Sequence, residues 1–143
     1  MTRTGRLHGA EGRLWTRIAA IVAIIFGLAT IREGGAVLLG HEDALRAAGR
    51  DVPFVVWFNA AAGFGYVAAG IGLWLRQRWA VGLAFAIVAA TLAVFAAFGA
   101  HVAGGGEYAL RTVIAMSLRS AVWLAIALVA YRLAWTPKGK AAR

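Results

Sequence analysis

The feature that most constrains this chain is a pair of long apolar runs between Phe54 and His101, joined by the basic turn Arg76-Gln77-Arg78. Each run is long enough to cross the ~30 Å hydrocarbon core of a bilayer as a helix, which takes about 20 residues. The pair therefore predicts a transmembrane hairpin. Short loops that carry arginine and no acid stay on the cytoplasmic side, which orients the hairpin in the membrane.

The composition supports a membrane protein. Of the 143 residues, 62% are hydrophobic, and the mean hydropathy is +0.73. One small soluble core cannot bury so much apolar surface. The absence of cysteine excludes disulfide scaffolds, thiolate metal sites and dithiol redox chemistry. The net charge of +9 does not indicate nucleic acid, because most basic residues flank apolar spans, where they suit anionic lipid headgroups.

Four spans are predicted from the apolar runs. They are about 14–39, 54–75, 79–101 and 107–133, between a basic tail at 1–13 and a basic tail at 136–143. The first span also satisfies the pattern of a cleavable secretory signal, but apolar residues resume at 36–39 and Trp15 lies where an interfacial anchor belongs. We therefore assign 14–135 to one transmembrane domain. The predicted fold class is all-α, a polytopic membrane protein built as an antiparallel four-helix bundle.

The basic residues predict the orientation of this bundle. One side of the topology carries ten of the fifteen basic residues and a single acid, Glu11. The ten are Arg3, Arg6, Arg13, Arg17, Arg76, Arg78, Arg132, Lys138, Lys140 and Arg143. Cytoplasmic loops and tails carry such an excess, so both termini are predicted to be cytoplasmic, in a bacterial inner membrane. Trp15, Trp74, Trp79 and Trp135 would then anchor the cytoplasmic interface.

Polar residues of the spans gather in the opposite, outer half, which predicts a polar cup open to the outside. An arginine as deep as Arg119 costs on the order of 2 kcal/mol or more and must face the bundle interior, a water-filled cup or a partner. It either pairs with Glu33 and Asn59 to hold the helices in register, or binds a carboxylate, phosphate or quinone oxygen that enters from outside. The predicted ligand-binding set is Arg119, Asn59, Glu33, Arg32 and Arg111.

Two further arrangements involve the outer loops. Glu107 stands four residues before Arg111, the favourable order for an ion pair on a helix. His41 and His101 lie on the same side of the membrane. With Glu107, or with Glu42 or Asp43 in its place, they form a candidate metal set, or the two histidines ligate a haem between helices. No close ligand spacing supports either site. We predict no cofactor, with a quinone or a divalent metal as the alternatives.

The segment from Asn59 to Val81 combines a glycine-rich second span, the ending Gly72-Leu73-Trp74-Leu75, a basic turn and the start of an alanine-rich third span. In these features it resembles the DoxX-like family of small four-helix bacterial inner-membrane proteins. Where that family leads us to expect an acid near the start of the second span, this chain has Asn59. The resemblance implies a membrane subunit that works beside redox or sulfur-metabolism proteins.

The sequence thus favours a non-enzymatic accessory subunit or small-ligand binder over two alternatives. One is a DoxX-like subunit of a quinone-linked redox complex, with Arg119 and Asn59 near the quinone carbonyls. The other is a metal or ion transport component that uses His41, His101 and Glu107. Besides the lipid bilayer, we expect a membrane-protein partner or a homo-oligomer, and no nucleic acid.

Overall fold

The computed structural model describes residues 3–48 and 52–134, which form five helices and no strand. The helices are α1 (Arg3–Leu38), α2 (Glu42–Ala48), α3 (Pro53–Trp74), α4 (Arg78–Ala103) and α5 (Leu110–Ala134). The predicted all-α class is confirmed. The predicted features at 49–51 and 135–143, which include Trp135 and the C-terminal tail, lie outside the described residues.

Four helices of the described chain are long and apolar enough to cross a membrane, as many as the sequence predicts. They are Glu11–Leu38 within α1, Pro53–Trp74, Arg78–Ala103 and Leu110–Arg132 within α5. Large apolar side chains cover their outer faces; Trp57, Phe64 and Leu110 each leave about two thirds of their surface exposed, at 65%, 66% and 67%. Such a surface is unfavourable in water and suits contact with lipid chains.

Two predicted boundaries differ from the structure. The helix α1 begins at Arg3, so most of the predicted N-terminal tail continues the first helix. The helix α5 begins at Leu110, and Glu107 therefore precedes it. The ion pair predicted between Glu107 and Arg111 assumed that both residues lie on one helix, and that geometry is wrong.

The interface between α1 and α3 is the most extensive in the bundle. Glycines seven residues apart stand on both sides of it, Gly27 and Gly34 on α1 and Gly63 and Gly70 on α3. A Cβ atom built on Gly63 would lie 2.6 Å from Cγ1 of Ile31, so the interface has no room for a side chain there. Small residues let helix backbones approach closely in lipid, where packing drives association.

The buried residues form two clusters, one toward each end of the bundle. The larger cluster lies toward the α3–α4 turn and contains Tyr66 and Trp123, both 0% exposed, with ring centroids 4.6 Å apart. Its other members are mostly alanine. The smaller cluster contains Val52, Val55, Phe98 and Met116 and lies toward α2. Polar groups occupy the region between the two clusters.

Three helices end in the same hydrogen-bonded motif. After α1, α3 and α4, one residue takes a left-handed conformation, Gly40 (φ 75°), Arg76 (φ 55°) and Gly105 (φ 83°) respectively. In α3 the N–H of Gln77 donates to the carbonyl of Gly72 at 2.8 Å, and the N–H of Arg76 donates to that of Leu73 at 3.0 Å. These bonds satisfy helix-end carbonyls and turn the chain back sharply.

The α1–α3 interface makes a prediction about two glycines of α3. Gly63→Ala should lower stability by about 1–3 kcal/mol, because the added methyl group forces the two helices apart. Gly65→Ala is the matched control, since its Cβ would meet only Ile87 Cδ1 at 4.0 Å. Thermal unfolding of the detergent-solubilised protein measures both. Equal melting temperatures for the two variants would contradict close packing at Gly63.

Candidate functional site

Arg119 lies well inside α5 and is only 6% exposed. Its Nη1 donates a hydrogen bond to Oδ1 of Asn59 on α3 and lies 3.8 Å from Sδ of Met116. Its Cζ is 5.9 Å from the ring centroids of both Phe26 on α1 and Tyr66 on α3. One guanidinium therefore contacts side chains from three helices.

This environment explains how an apolar helix accommodates an arginine. A charge in a membrane-spanning helix must turn toward the bundle interior, where Asn59 supplies an acceptor and two aromatic faces attract the cation. The interior does not satisfy the whole group, because Nε of Arg119 is enclosed without a hydrogen-bond partner. A buried donor without an acceptor is unfavourable. The guanidinium thus retains hydrogen-bonding capacity that the described residues do not use.

A cleft lies beside Arg119 between α1, α3 and α5. The cleft has a volume of about 80 Å³. On the same measure, one water molecule needs about 10–15 Å³. The cleft therefore has room for several waters or a small ligand. Its lining residues are Thr30, Glu33, Gly34, Val37, Val55, Val56, Asn59, Arg111, Thr112, Ala115, Met116 and Arg119.

The charges of the cleft are unequal. Two arginines, Arg111 and Arg119, face one acid, Glu33, so the lining carries one net positive charge. The carboxylate of Glu33 acts on the guanidinium of Arg119 through its charge, but within the described residues the two form no ion pair. Glu33 and Arg111 are exposed whereas Arg119 is buried, so the cleft opens on the side of the exposed pair.

Four of the five predicted ligand-binding residues line this cleft: Arg119, Asn59, Glu33 and Arg111. The fifth, Arg32, is exposed and is not part of the lining, although it is the neighbour of Glu33 in sequence. Successive residues of a helix point about 100° apart, which separates the two side chains. The hydrogen bond predicted between Arg119 and Asn59 is present, and the pairing predicted with Glu33 is electrostatic only.

The candidate metal set does not come together. Across residues 3–48 and 52–134 no three His, Asp or Glu side chains are grouped so that they hold a metal ion. Nε2 of His101 lies 3.3 Å from the backbone oxygen of Glu107, so that ring packs against its own loop. His41 stands in the separate connection between α1 and α2.

The sequence did not predict the aromatic rings of Phe26 and Tyr66 beside Arg119, or the buried polar atoms in the same bundle. Tyr66, Thr91 and Trp123 are each 0% exposed, and Oη, Oγ1 and Nε1 of these residues have no hydrogen-bond partner among the described residues. Their signal in the sequence is a polar atom in an apolar span, which is common for tyrosine and tryptophan. Spacing alone does not show that Tyr66 lies beside Arg119 or that Trp123 packs against Tyr66.

Comparison with protein-family models, with curated proteins and with solved structures gives no match to this chain. The resemblance to the DoxX-like family therefore stays a prediction from residues 59–81.

The bond between Arg119 and Asn59 makes a prediction about stability. Asn59→Leu removes the acceptor of Nη1 and should lower stability by about 1.5–3 kcal/mol, the range for hydrogen bonds to charged groups. Asn59→Asp keeps an acceptor of nearly the same shape and adds a counter-charge, so it should be at least as stable as the wild type. Thermal unfolding in detergent measures both variants. If leucine and aspartate destabilise equally, the hydrogen bond does not stabilise the fold.

Proposed function

We propose that this small membrane protein binds a small anionic ligand in the cleft at Arg119 and performs no catalysis of its own. The observation that carries the proposal is a buried guanidinium, with one enclosed and unpartnered N–H, lining a cleft of net positive charge. A carboxylate, whether of a free molecule or of a partner protein's side chain, is the complementary group. Such a protein acts as a ligand binder or as an accessory subunit.

The proposed topology is an antiparallel bundle in a bacterial inner membrane, with both termini in the cytoplasm. Contacts between α1 and α3 support opposite directions, because Gly27 meets Val67 whereas Gly34, later in α1, meets Ala60, earlier in α3. The basic α3–α4 turn supports a cytoplasmic location for that end. In this orientation the cleft opens toward the periplasm.

The chemistry of the lining favours a small anion with an apolar body. A guanidinium in a site of low dielectric constant binds a carboxylate or phosphate oxygen more strongly than it does in water. The buried guanidinium of Arg119 repels cations and attracts anions that enter the cleft. Val55, Val56 and Met116 offer apolar contacts to the rest of the ligand.

The quinone-linked alternative uses the same donors. A quinone carbonyl accepts a hydrogen bond from Arg119 as a carboxylate does, but it carries no negative charge to pair with the guanidinium. Metal or cation transport has less support, because His41, His101 and Glu107 are not grouped and the cleft is positive. The test below therefore includes a quinone as a separate probe.

Anion binding is tested with sodium acetate and sodium phosphate as probes at constant ionic strength. An anion that binds the folded state raises the melting temperature as its concentration increases. At 100 times its Kd, it adds about 2.7 kcal/mol to the free energy of unfolding. We expect this rise for the wild type and for Arg32→Gln, whose arginine lies outside the cleft. Arg119→Gln should abolish it. A rise of equal size in Arg119→Gln would refute the proposal.

Asn59→Asp provides a second test that does not depend on the folding of Arg119→Gln. This variant should be folded yet unresponsive to acetate and phosphate, because its new carboxylate neutralises the charge of the guanidinium that already donates to residue 59. Stabilisation of the wild type by a soluble benzoquinone, with no response to either anion, would instead support the quinone-linked alternative. Native mass spectrometry of protein released gently from its own membranes then identifies the retained molecule by mass.

A further inference from the structure

A second group of arginines lies at the other end of the bundle, around the α3–α4 turn. We call it the turn cluster and define it as Arg13, Arg17, Arg76 and Arg78, all of them exposed. Arg13 and Arg17 are four residues apart on α1 and share one face of that helix. The nearest acid in sequence to any member is Glu11. The cluster is therefore strongly positive.

Two tryptophans lie at the same end of the bundle as this cluster, and one of them contacts Arg17. Cζ of Arg17 on α1 lies 5.6 Å from the ring centroid of Trp74, the last residue of α3. The ring of Trp79 covers Gly72, since a Cβ atom built there would lie 2.7 Å from that ring. Both tryptophans are about half exposed, at 48% and 53%. Trp is the residue type that anchors helices at the level of lipid headgroups.

The backbone of Arg76 gives an independent observation. The left-handed position that ends α1 and α4 holds a glycine, Gly40 and Gly105, whereas the same position after α3 holds Arg76. A residue with a Cβ atom takes this conformation at a cost in free energy that glycine does not have. The motif itself has no need of an arginine there.

No contact of the Arg76 side chain within the described chain offsets the cost of having arginine and not glycine at this position. The side chain of Arg76 is exposed and forms no hydrogen bond or ion pair with any residue in 3–48 or 52–134. The left-handed backbone serves the helix end, but the arginine side chain makes it less favourable than a glycine would and has no partner in the described chain, which points to a role outside it. The group that Arg76 meets is expected to be negatively charged and to lie at the surface of the membrane.

We propose that the turn cluster binds the headgroup of an anionic phospholipid, a phosphodiester with one negative charge such as that of phosphatidylglycerol. The guanidinium group of arginine binds two phosphate oxygens through paired hydrogen bonds. Each basic residue near the bilayer surface adds to the attraction for anionic lipid. A lipid fits better than free phosphate, because exposed Trp74, Leu75 and Trp79 offer apolar contacts to the glycerol and acyl chains. This site is separate from the cleft and does not depend on the anion proposed there.

The test uses purified protein in detergent mixed with equal amounts of phosphatidylglycerol and phosphatidylcholine, and counts retained lipids by native mass spectrometry. We expect the wild type to retain phosphatidylglycerol in preference. Arg76→Gly should weaken that retention about fivefold, the factor for one arginine near an anionic surface. Its melting temperature without lipid should equal or exceed that of the wild type, because glycine relieves the backbone. Arg46→Gln, on α2 at the other end, is the matched control and should behave as the wild type.

Arg78→Gln, which leaves the left-handed backbone of Arg76 unchanged, should also weaken retention of phosphatidylglycerol. The proposal is overturned if Arg76→Gly and Arg78→Gln retain phosphatidylglycerol as the wild type does. It is also overturned if Arg76→Gly melts at a lower temperature while its lipid retention is unchanged, since the arginine would then be structural. Displacement of the lipid by inorganic phosphate at equal concentration would identify a free-phosphate site in its place.

Discussion

The burial of one guanidinium determines how three of the four long helices meet. Arg119 on α5 has to find partners inside the bundle, and its partners come from the other two helices, Asn59 and Tyr66 from α3 and Phe26 from α1. An apolar bundle of alanine and leucine specifies rotation about the helix axes poorly, because many rotations bury similar surface. A buried charge with a directional acceptor removes most of those alternatives. The cleft exists because the polar groups around Arg119 leave the apolar packing incomplete at that level.

The two ends of the bundle differ in whether their polar side chains are buried or exposed. Toward α2, polar side chains turn inward and line a cleft of net positive charge between α1, α3 and α5. At the α3–α4 turn, the arginines stay exposed around tryptophans. The cleft lining and the turn cluster each carry more arginine than acid, yet one presents its charge to a small enclosed volume and the other to the membrane surface. The same guanidinium chemistry therefore suits a small ligand in the cleft and a lipid headgroup at the α3–α4 turn.

Much of this arrangement could be predicted from the sequence. Four helices follow from the lengths of the apolar runs, and Arg119 and Asn59 could be paired because both lie at similar depth in their spans. Their neighbours could not be predicted in the same way. Arg32 and Glu33 are adjacent, and only the rotation of α1, which packing decides, puts Glu33 at the cleft. The start of α5 at Leu110 likewise depends on how the preceding glycines turn, and it leaves Glu107 outside the helix on which its pairing with Arg111 was predicted.

The interlocked glycines of α1 and α3 also limit how the bundle can move. Gly27, Gly34, Gly63 and Gly70 meet the opposite backbone so closely that either helix would have to separate from the other before it could slide. The contact between α1 and α5 is much smaller, although both helices line the cleft. The α1–α3 pair is therefore expected to move as one body. Because α5 contacts α3 even less than it contacts α1, the cleft is expected to widen where α5 meets this pair when its contents exchange.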